Sequence, residues 1–145
     1  MKIAVGSDHA GFELKEAAKK ILKELGHEII DLGTDGKESV DYSDFGLGVA
    51  RAVANHTVDR GVAVCWTGNG MMIAVNKVRG IRGTLCLNKD MAHLARAHND
   101  SNILVLAEKY IEMNNLADII KEWLEVEFEG GRHTRRLDKI KNAEC

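Results

Sequence analysis

The sequence contains no proline, whereas an average usage of about 5% would place about seven in a chain of 145 residues. Proline-rich linkers are therefore excluded, and glycine, which occurs 14 times, must form most of the turns. No apolar run approaches the ~18 residues of a membrane-spanning helix, and a strand-like segment follows Met1 without a signal peptide. We therefore expect no association with a membrane.

The chain also has few cysteines and a small net charge. The three cysteines (Cys65, Cys86 and Cys145) are odd in number and widely spaced, which does not fit the disulfide framework of a secreted protein. They indicate a reducing compartment, and we expect a cytoplasmic protein. The 22 acidic and 20 basic residues nearly balance, giving a net charge of −2. That balance argues against a nucleic-acid partner held by bulk charge.

Short apolar runs alternate along the chain with amphipathic stretches, in a mixture of 45% hydrophobic and 29% charged residues that is typical of globular domains. The predicted strands are 3–6, 28–32, 61–65, 83–87 and 103–106, and the predicted helices are 14–25, one from about 43, 71–77, 89–97, 116–124 and 132–141. Strand 61–65 is apolar throughout and is expected at the centre of the sheet, the more polar strand 28–32 is expected at an edge, and Gly26 stands where the first helix should end. The pattern predicts one α/β domain over residues 1–145. We expect a Rossmann-like three-layer sandwich, in which helices cover both faces of a five-stranded parallel sheet and a basic C-terminal helix follows.

Ligands in such folds bind beyond the carboxyl ends of the strands. The first predicted strand ends in Ser7-Asp8-His9-Ala10-Gly11, where an acid and an imidazole precede a helix. Asp8 can cap that helix or take part in a site, and the sequence leaves both interpretations open.

The third predicted strand ends in Cys65-Trp66-Thr67-Gly68-Asn69-Gly70. Glycines after a buried strand allow backbone N–H groups to converge on an anion, although neither a Walker loop nor a complete dinucleotide fingerprint is present. Cys65 stands where a nucleophile or base would be placed, but it can equally be a small buried hydrophobic residue.

Two polar segments occur later in the chain. His98-Asn99-Asp100 precedes the fifth strand and is either a turn or part of the site. Arg132 and Arg136 share a helix face at i and i+4. Two guanidinium groups on one face suit a phosphate dianion, but they can equally belong to a solvated helix surface. Only His93 and His98 approach a zinc-like spacing, and we predict no metal site.

These segments, taken in order, resemble the type B ribose-5-phosphate isomerases and the related galactose-6-phosphate and allose-6-phosphate isomerases. The resembling pieces are 7–15, 39–42, Cys65-x-Thr67-Gly68-x-Gly70-Met71, 74–77 with 80–82, 98–100 and Glu129-Gly130-Gly131-Arg132-His133-x-x-Arg136. They cover nearly the whole chain at the spacing of the family.

The resemblance implies an aldose–ketose isomerase that acts on a phosphorylated sugar without a metal or other cofactor. It implies a homodimer, often paired into a tetramer, whose active sites are shared between subunits. By resemblance, Cys65 is the base, Thr67 assists proton transfer between hydroxyl groups, and His98, helped by Asp8, opens the sugar ring.

The substrate-binding residues are also implied by resemblance. The phosphate would be held by His9 together with Arg132 and Arg136 of a partner chain, beside His133. The enediolate would be held by Asn99 and by the backbone amides of Trp66, Gly68, Asn69 and Gly70.

The chain departs from the family at positions that shape the pocket. Trp66 replaces a usual glycine, Asn69 and Met72 are unusual, and Lys109 stands near a usual arginine, without its bidentate fork. The same chemistry on a four- or six-carbon sugar phosphate is therefore an alternative to ribose 5-phosphate. A non-catalytic phosphosugar-binding module is a second alternative. A signalling receiver is disfavoured, because Cys65 stands where such a protein needs an aspartate.

Overall fold

The computed structural model describes residues 1–144 and contains one five-stranded parallel sheet with six α-helices. The strands are β1 (Lys2–Ser7), β2 (Glu28–Asp31), β3 (Arg60–Cys65), β4 (Gly83–Leu85) and β5 (Ile103–Ala107). The helices are α1 (Phe12–Glu24), α2 (Tyr42–Ala54), α3 (Asn69–Val75), α4 (Lys89–Ala97), α5 (Met113–Glu125) and α6 (Arg132–Asn142). A 3-10 turn at His9–Gly11 leads into α1.

The strand order β2-β1-β3-β5-β4 places β3, which is apolar from Gly61 to Cys65, at the centre and the more polar β2 at one edge, as the sequence predicts. Side chains alternate between the two faces of the sheet. Val62 and Val64 pack in the layer that contains α1, α4 and α5, whereas Ala63 and Cys65 pack in the layer that contains α2 and α3. The predicted α/β sandwich with helices on both faces is confirmed.

The observed boundaries of helices and strands differ from the predicted ones where a glycine or a capping side chain determines them. Helix α3 begins two residues earlier than predicted, because Gly68 adopts φ 79° and forms its N-cap. Strand β4 ends two residues early, at Leu85, and Asn88 then caps α4 by accepting a hydrogen bond from the Met91 N–H. Gly26, at φ 82°, ends α1 in the left-handed conformation that the sequence predicts.

Helix α6 differs from the other helices in how little of it is buried. His133 is its only buried residue among those described. The helix lies at the amino end of the sheet, beside residues 79–82. None of the helices within residues 1–144 is both long enough and apolar enough to cross a bilayer.

Candidate active site

The carboxyl ends of β1, β3 and β5 bring together nine of the residues that the sequence singles out. These are Asp8, His9, Cys65, Trp66, Thr67, Gly68, Asn69, Gly70 and Lys109. Parallel strands end at the same side of a sheet, so residues distant in sequence meet there. We call this end of the sheet the carboxyl edge and the opposite end, where the strands begin, the amino edge.

Cys65 is the last residue of the central strand and is 4% exposed. The loop after β1 lies directly against it, because Gly11 approaches the backbone of β3. A Cβ atom at Gly11 would lie 2.8 Å from the Val64 carbonyl carbon and 2.9 Å from the Cys65 nitrogen. Only glycine allows this approach, and it fixes the Asp8 and His9 loop beside the thiol.

The loop after Cys65 presents backbone donors. Gly68 has φ 79°, and a Cβ atom there would lie 2.4 Å from Leu85 Cδ1. The N–H groups of residues 67–70 donate to no protein acceptor within the described chain. Four free N–H groups beside a buried thiol can stabilise an oxyanion that forms next to it.

The side chains of Asp8 and His9 have different partners. Asp8 Oδ1 accepts a hydrogen bond from the Gly11 N–H at 2.9 Å, which confirms the capping interpretation. Burial raises the pKa of Asp8, and the Gly11 N–H acts in the opposite direction. His9 Nδ1 accepts from the Val40 N–H at 3.2 Å. That bond places the ring hydrogen on Nε2, where it can be donated to an anion.

The segment after β5 completes this edge. The Glu108 N–H donates to the Cys65 carbonyl and the Lys109 N–H donates to the Trp66 carbonyl, both at 3.0 Å. The Lys109 side chain is exposed, with its Nζ 5.5 Å from the Tyr110 ring centroid. Trp66 is 50% exposed, so its indole lies at the mouth of the site.

The remaining five predicted site residues lie at the other end of the sheet. His98 and Asn99 follow α4 and precede β5, while Arg132, His133 and Arg136 lie on α6. Since Cys65 is registered with Ala107 at the far end of β5, the strand separates the two groups by about 16 Å, at roughly 3.3 Å per residue. Within one chain, His98 and Asn99 therefore lie at the opposite end of the sheet from Cys65.

The reason for this separation is topological. Sequence proximity to a strand does not distinguish a loop that enters the strand from one that leaves it, and His98 lies in the entering loop. His98 therefore does not contact Asp8 within one protomer. Asn99, Arg132 and Arg136 are all exposed to solvent.

His98 instead stacks on His133, with ring centroids 4.2 Å apart and ring planes within 13°. Glu129 Oε2 lies 3.8 Å from His98 Nε2 and 3.5 Å from His133 Nε2. Desolvation, then the neighbouring His98 and Arg132, lower the pKa of His133. The ring is thus held neutral near pH 7.

Asp100 fixes this corner without facing a ligand. It has φ 45°, and its carboxylate pairs with Arg82 at 2.7 Å and with Arg96 at 2.8 Å. For Asp100, the turn interpretation of the segment is confirmed. The same ion pairs hold His98 and Asn99 in place.

Three further residues contact these two groups, although no role was predicted for them from the sequence: Tyr42, Glu108 and Glu129. The Tyr42 ring packs against Gly70, where a Cβ atom would lie 2.7 Å from Tyr42 Cζ. Glu108 Oε2 accepts from the Leu14 N–H at 3.2 Å, and burial raises its pKa. Glu129 joins the two histidines. The 39–42 motif signals Tyr42, whereas Glu129 and His133 join His98 only through folding.

The two groups therefore have complementary chemistry. The carboxyl edge supplies a buried thiol and unpaired backbone donors, and the amino edge supplies imidazoles and two guanidinium groups. Proton abstraction next to a carbonyl needs the first set, and binding of a phosphate dianion is favoured by the second.

Comparisons with known proteins agree on one family. A family model described as Ribose/Galactose Isomerase matches residues 3–140. Ribose-5-phosphate isomerase B of Escherichia coli is 42% identical over 139 residues, covering 96% of this chain and 93% of that protein.

Two solved structures extend the similarity to the whole fold. Ribose-5-phosphate isomerase B of Clostridium thermocellum superposes with a TM-score of 0.98 at 51% identity, covering 99% of this chain and 97% of that one. The enzyme of Mycoplasma genitalium, solved with bound ribulose 5-phosphate, gives a TM-score of 0.93 at 37% identity, covering 99% and 95%.

Proposed function

The chain belongs to the ribose/galactose isomerase family, and from this premise we propose that it interconverts ribose 5-phosphate and ribulose 5-phosphate through an enediolate. The observation that carries the proposal is the buried thiol of Cys65, which ends the central strand beside four unpaired backbone N–H groups. No metal or other cofactor takes part in the proposed reaction.

In the proposed reaction the Cys65 thiolate removes the proton from C2 of the open-chain aldose. The electron pair forms the C1–C2 double bond of an enediolate, and the negative charge on its oxygen is stabilised by the N–H groups of the 66–70 loop. Thr67 moves a proton between O1 and O2. Cys65 returns its proton to C1, and the carbonyl at C2 of the ketose results.

We further propose that each active site combines the carboxyl edge of one chain with the amino edge of another. One chain supplies Cys65 but no guanidinium group near it, and the second supplies Arg132 and Arg136 for the phosphate. His98 and Asn99 come with the partner's arginines, since both lie on that edge. A two-fold dimer makes two such sites.

Exposed apolar side chains at the carboxyl edge support this association. Tyr42 is 44%, Trp66 50% and Ile73 59% exposed, and all three lie on or beside the loop that follows Cys65. A second chain that covers this edge would remove them from water. His9 Nε2–H and Lys109 would then meet the sugar phosphate from the first chain.

The same chemistry on a four- or six-carbon sugar phosphate is the second candidate. The half-exposed Trp66 at the mouth of the site favours it, because an indole in place of glycine alters the space available to the sugar. Parallel rates with ribose 5-phosphate, allose 6-phosphate and erythrose 4-phosphate would decide between the candidates.

The test of the proposal is the activity of Cys65→Ala with ribose 5-phosphate. We expect turnover to fall about 10²–10⁴-fold, as for loss of a general base. Cys86→Ala is the matched control, because burial raises the pKa of the Cys86 thiol to about 11 and keeps it protonated. Near-wild-type isomerisation by Cys65→Ala would refute the assignment.

Solvent exchange separates an enzyme from a binding module. In deuterium oxide the isomerase is expected to incorporate deuterium at C2 of the aldose or C1 of the ketose. A phosphosugar-binding module would be stabilised against heat by the sugar phosphate and show no uptake. The described cysteines are unpaired thiols, which fits the reducing cytoplasm that we propose as its location.

A further inference from the structure

Glu108 links two parts of the carboxyl edge that the proposed reaction needs together. It follows β5 directly, and its backbone N–H donates to the Cys65 carbonyl at 3.0 Å. Its side chain reaches the first turn of α1, where Oε2 accepts from the Leu14 N–H at 3.2 Å. One residue therefore joins the end of the central strand to the start of the helix that follows Asp8 and His9.

Helix α1 needs an acceptor from another segment because its own N-cap is a glycine. The first N–H groups of a helix have no partner within the helix, and a side chain at the N-cap usually accepts from one of them. Gly11 is the N-cap of α1 and has no side chain that could do so. Glu108, 94 positions away along the chain, supplies the acceptor instead.

Packing prevents a better N-cap from replacing this glycine. A Cβ atom at Gly11 would lie 2.8 Å from the carbonyl carbon and oxygen of Val64, so the contact with β3 requires glycine there. The approach that places the Asp8 and His9 loop beside Cys65 thus leaves α1 without a local cap. Glu108 compensates at the same place, since its backbone is bonded to Cys65.

The charged groups that face Glu108 come from three segments. They are Asp8 after β1, Glu13 on α1 and Lys37 in the loop after β2. Burial raises the pKa of Glu108, the Leu14 N–H and Lys37 lower it, and the charges of Glu13 and Asp8 raise it. A protonated carboxyl group keeps an acceptor oxygen, so the bond from Leu14 does not require the ionised form. The length of the side chain is therefore what the contact depends on.

We propose that Glu108 is a positioning residue of the isomerase, which caps α1 from the end of β5 and thereby holds the Asp8 and His9 loop beside Cys65. Glu108 does not touch the substrate and acts through the residues that it joins. Displacement of a reacting group by about 1 Å can cost about a hundredfold in rate. The effect on turnover rests on the proposed function, whereas the effect on the loop does not.

Two substitutions separate side-chain length from charge. Glu108→Gln keeps an acceptor oxygen at the same reach without the charge, whereas Glu108→Asp keeps the charge but is shorter by one C–C bond of about 1.5 Å. We expect Glu108→Gln to keep kcat for ribose 5-phosphate within about twofold. Glu108→Asp and Glu108→Ala should each lower kcat about tenfold or more. KM should stay within about twofold, because Arg132 and Arg136 are unchanged.

Asn88→Ala is the matched control for stability. Asn88 caps α4 by accepting from the Met91 N–H at 2.9 Å, so this variant loses a helix cap of the same kind without a change to α1. The urea midpoints of Asn88→Ala and Glu108→Ala should fall to a similar extent, whereas only Glu108→Ala should lose turnover. Equal turnover in the two variants would show that Glu108 is a structural cap alone and would overturn the proposal.

Amide hydrogen exchange measures the loop without using the reaction. The Leu14 N–H reports the contact with Glu108, and the Gly11 N–H, which donates to Asp8 Oδ1 at 2.9 Å, reports the loop. Both should exchange at least about tenfold faster in Glu108→Asp and Glu108→Ala than in the wild type, and at wild-type rates in Glu108→Gln. Faster exchange at Leu14 with no change at Gly11 would contradict the positioning role.

The outcomes separate a failure of this inference from a failure of the proposed function. Normal isomerisation by Glu108→Asp together with loss in Glu108→Gln would show that charge rather than length matters, against the proposal. A wild-type chain that lacks isomerase activity but gives the expected exchange pattern would reject the proposed function and keep the role of Glu108 in holding the loop.

Discussion

The two ends of the sheet are built in different ways. At the carboxyl edge, the backbone determines the site: Gly11 packs within van der Waals distance of β3, Gly68 holds a left-handed conformation, and Cys65 is almost fully buried. At the amino edge, side chains determine it: Arg132 and Arg136 are exposed, and only His133 of α6 is buried.

This contrast indicates which half can act alone. The carboxyl edge is preorganised, because close packing fixes its donors before any ligand arrives. The amino edge exposes its charged groups to solvent, and it gains a function only when a substrate and the carboxyl edge of a second chain bind to it. The predictions below test this division, beginning with the largest effect.

Complementation between two inactive chains is the strongest test of the division. Cys65→Ala and His98→Gln are each expected to lose about 10²–10⁴-fold in turnover. If the edges come from different chains, co-refolding equal amounts should restore about a quarter of wild-type activity, because half the dimers are mixed and each has one intact site.

The control for this mixture pairs Cys65→Ala with Thr67→Ala. Both changes lie on the same edge, so no combination of these chains assembles an intact site. Absence of recovery in both mixtures would show that each site forms within one chain, against the proposal.

Alanine at two left-handed glycines compares the packing of the edges. Gly68→Ala is expected to lower the free energy of unfolding by about 2–3 kcal/mol, since it adds backbone strain and a clash with Leu85. Gly26→Ala, at φ 82° with nothing within 4 Å at the amino end of the sheet, should cost only about 1 kcal/mol. Equal losses in urea unfolding would remove the contrast.

A buried ion pair supports the carboxyl edge and gives it a pH dependence. The fully buried Lys15 ammonium lies 2.9 Å from Asp31, whose Oδ1 also accepts from the Gly33 N–H at 3.0 Å. Burial opposes ionisation of Asp31, but Lys19, Lys15 and the Gly33 N–H outweigh it and lower the pKa of Asp31 below 3.8.

Asp31→Asn should therefore reduce the free energy of unfolding by about 2 kcal/mol at pH 7. Because the pKa is lowered in the folded state, the stabilisation is present above the unfolded pKa and is lost as pH falls below about 4. Urea unfolding at pH 7 and pH 3 measures the gap, which should shrink at pH 3. Glu28→Gln on the same strand, in an exposed pair, is expected to change little.

The smallest expected effect separates two neighbouring arginines of α6. Arg136→Ala should raise the KM for ribose 5-phosphate about tenfold with little change in kcat, since it removes a charge-assisted contact to the phosphate. Arg135→Ala removes the same charge from a different face of the helix. If both variants shift KM equally, bulk charge binds the substrate.

Much of this molecule follows from local pattern. Strand 61–65 is apolar throughout and is the central strand, and Gly26 ends α1 as its position predicts. Asp8 caps the turn that follows β1. Each of these features depends on contacts within a few residues or on burial of a whole segment, which hydrophobic periodicity reports directly.

The site was less predictable. Boundaries of α3 and β4 moved because a φ angle at Gly68 and a cap at Asn88 are decided by packing. The sequence did not show at which end of the sheet His98 lies, because the direction in which a loop meets a strand is a property of the chain path. Glu129 stands in a motif of the family, but its contact with His98 carried no signal, since the two residues come from different segments.

The sequence alone determined the α/β class, the central strand and the residue types needed for isomerase chemistry, because these depend on periodicity and on motif spacing. Only the tertiary structure decided which of those residues meet. Parallel strands carry the chain to opposite ends of one sheet, so a thiol and an imidazole can lie a strand length apart in one protomer, and the joining of His98 to Glu129 and His133 is settled by packing rather than by order along the chain.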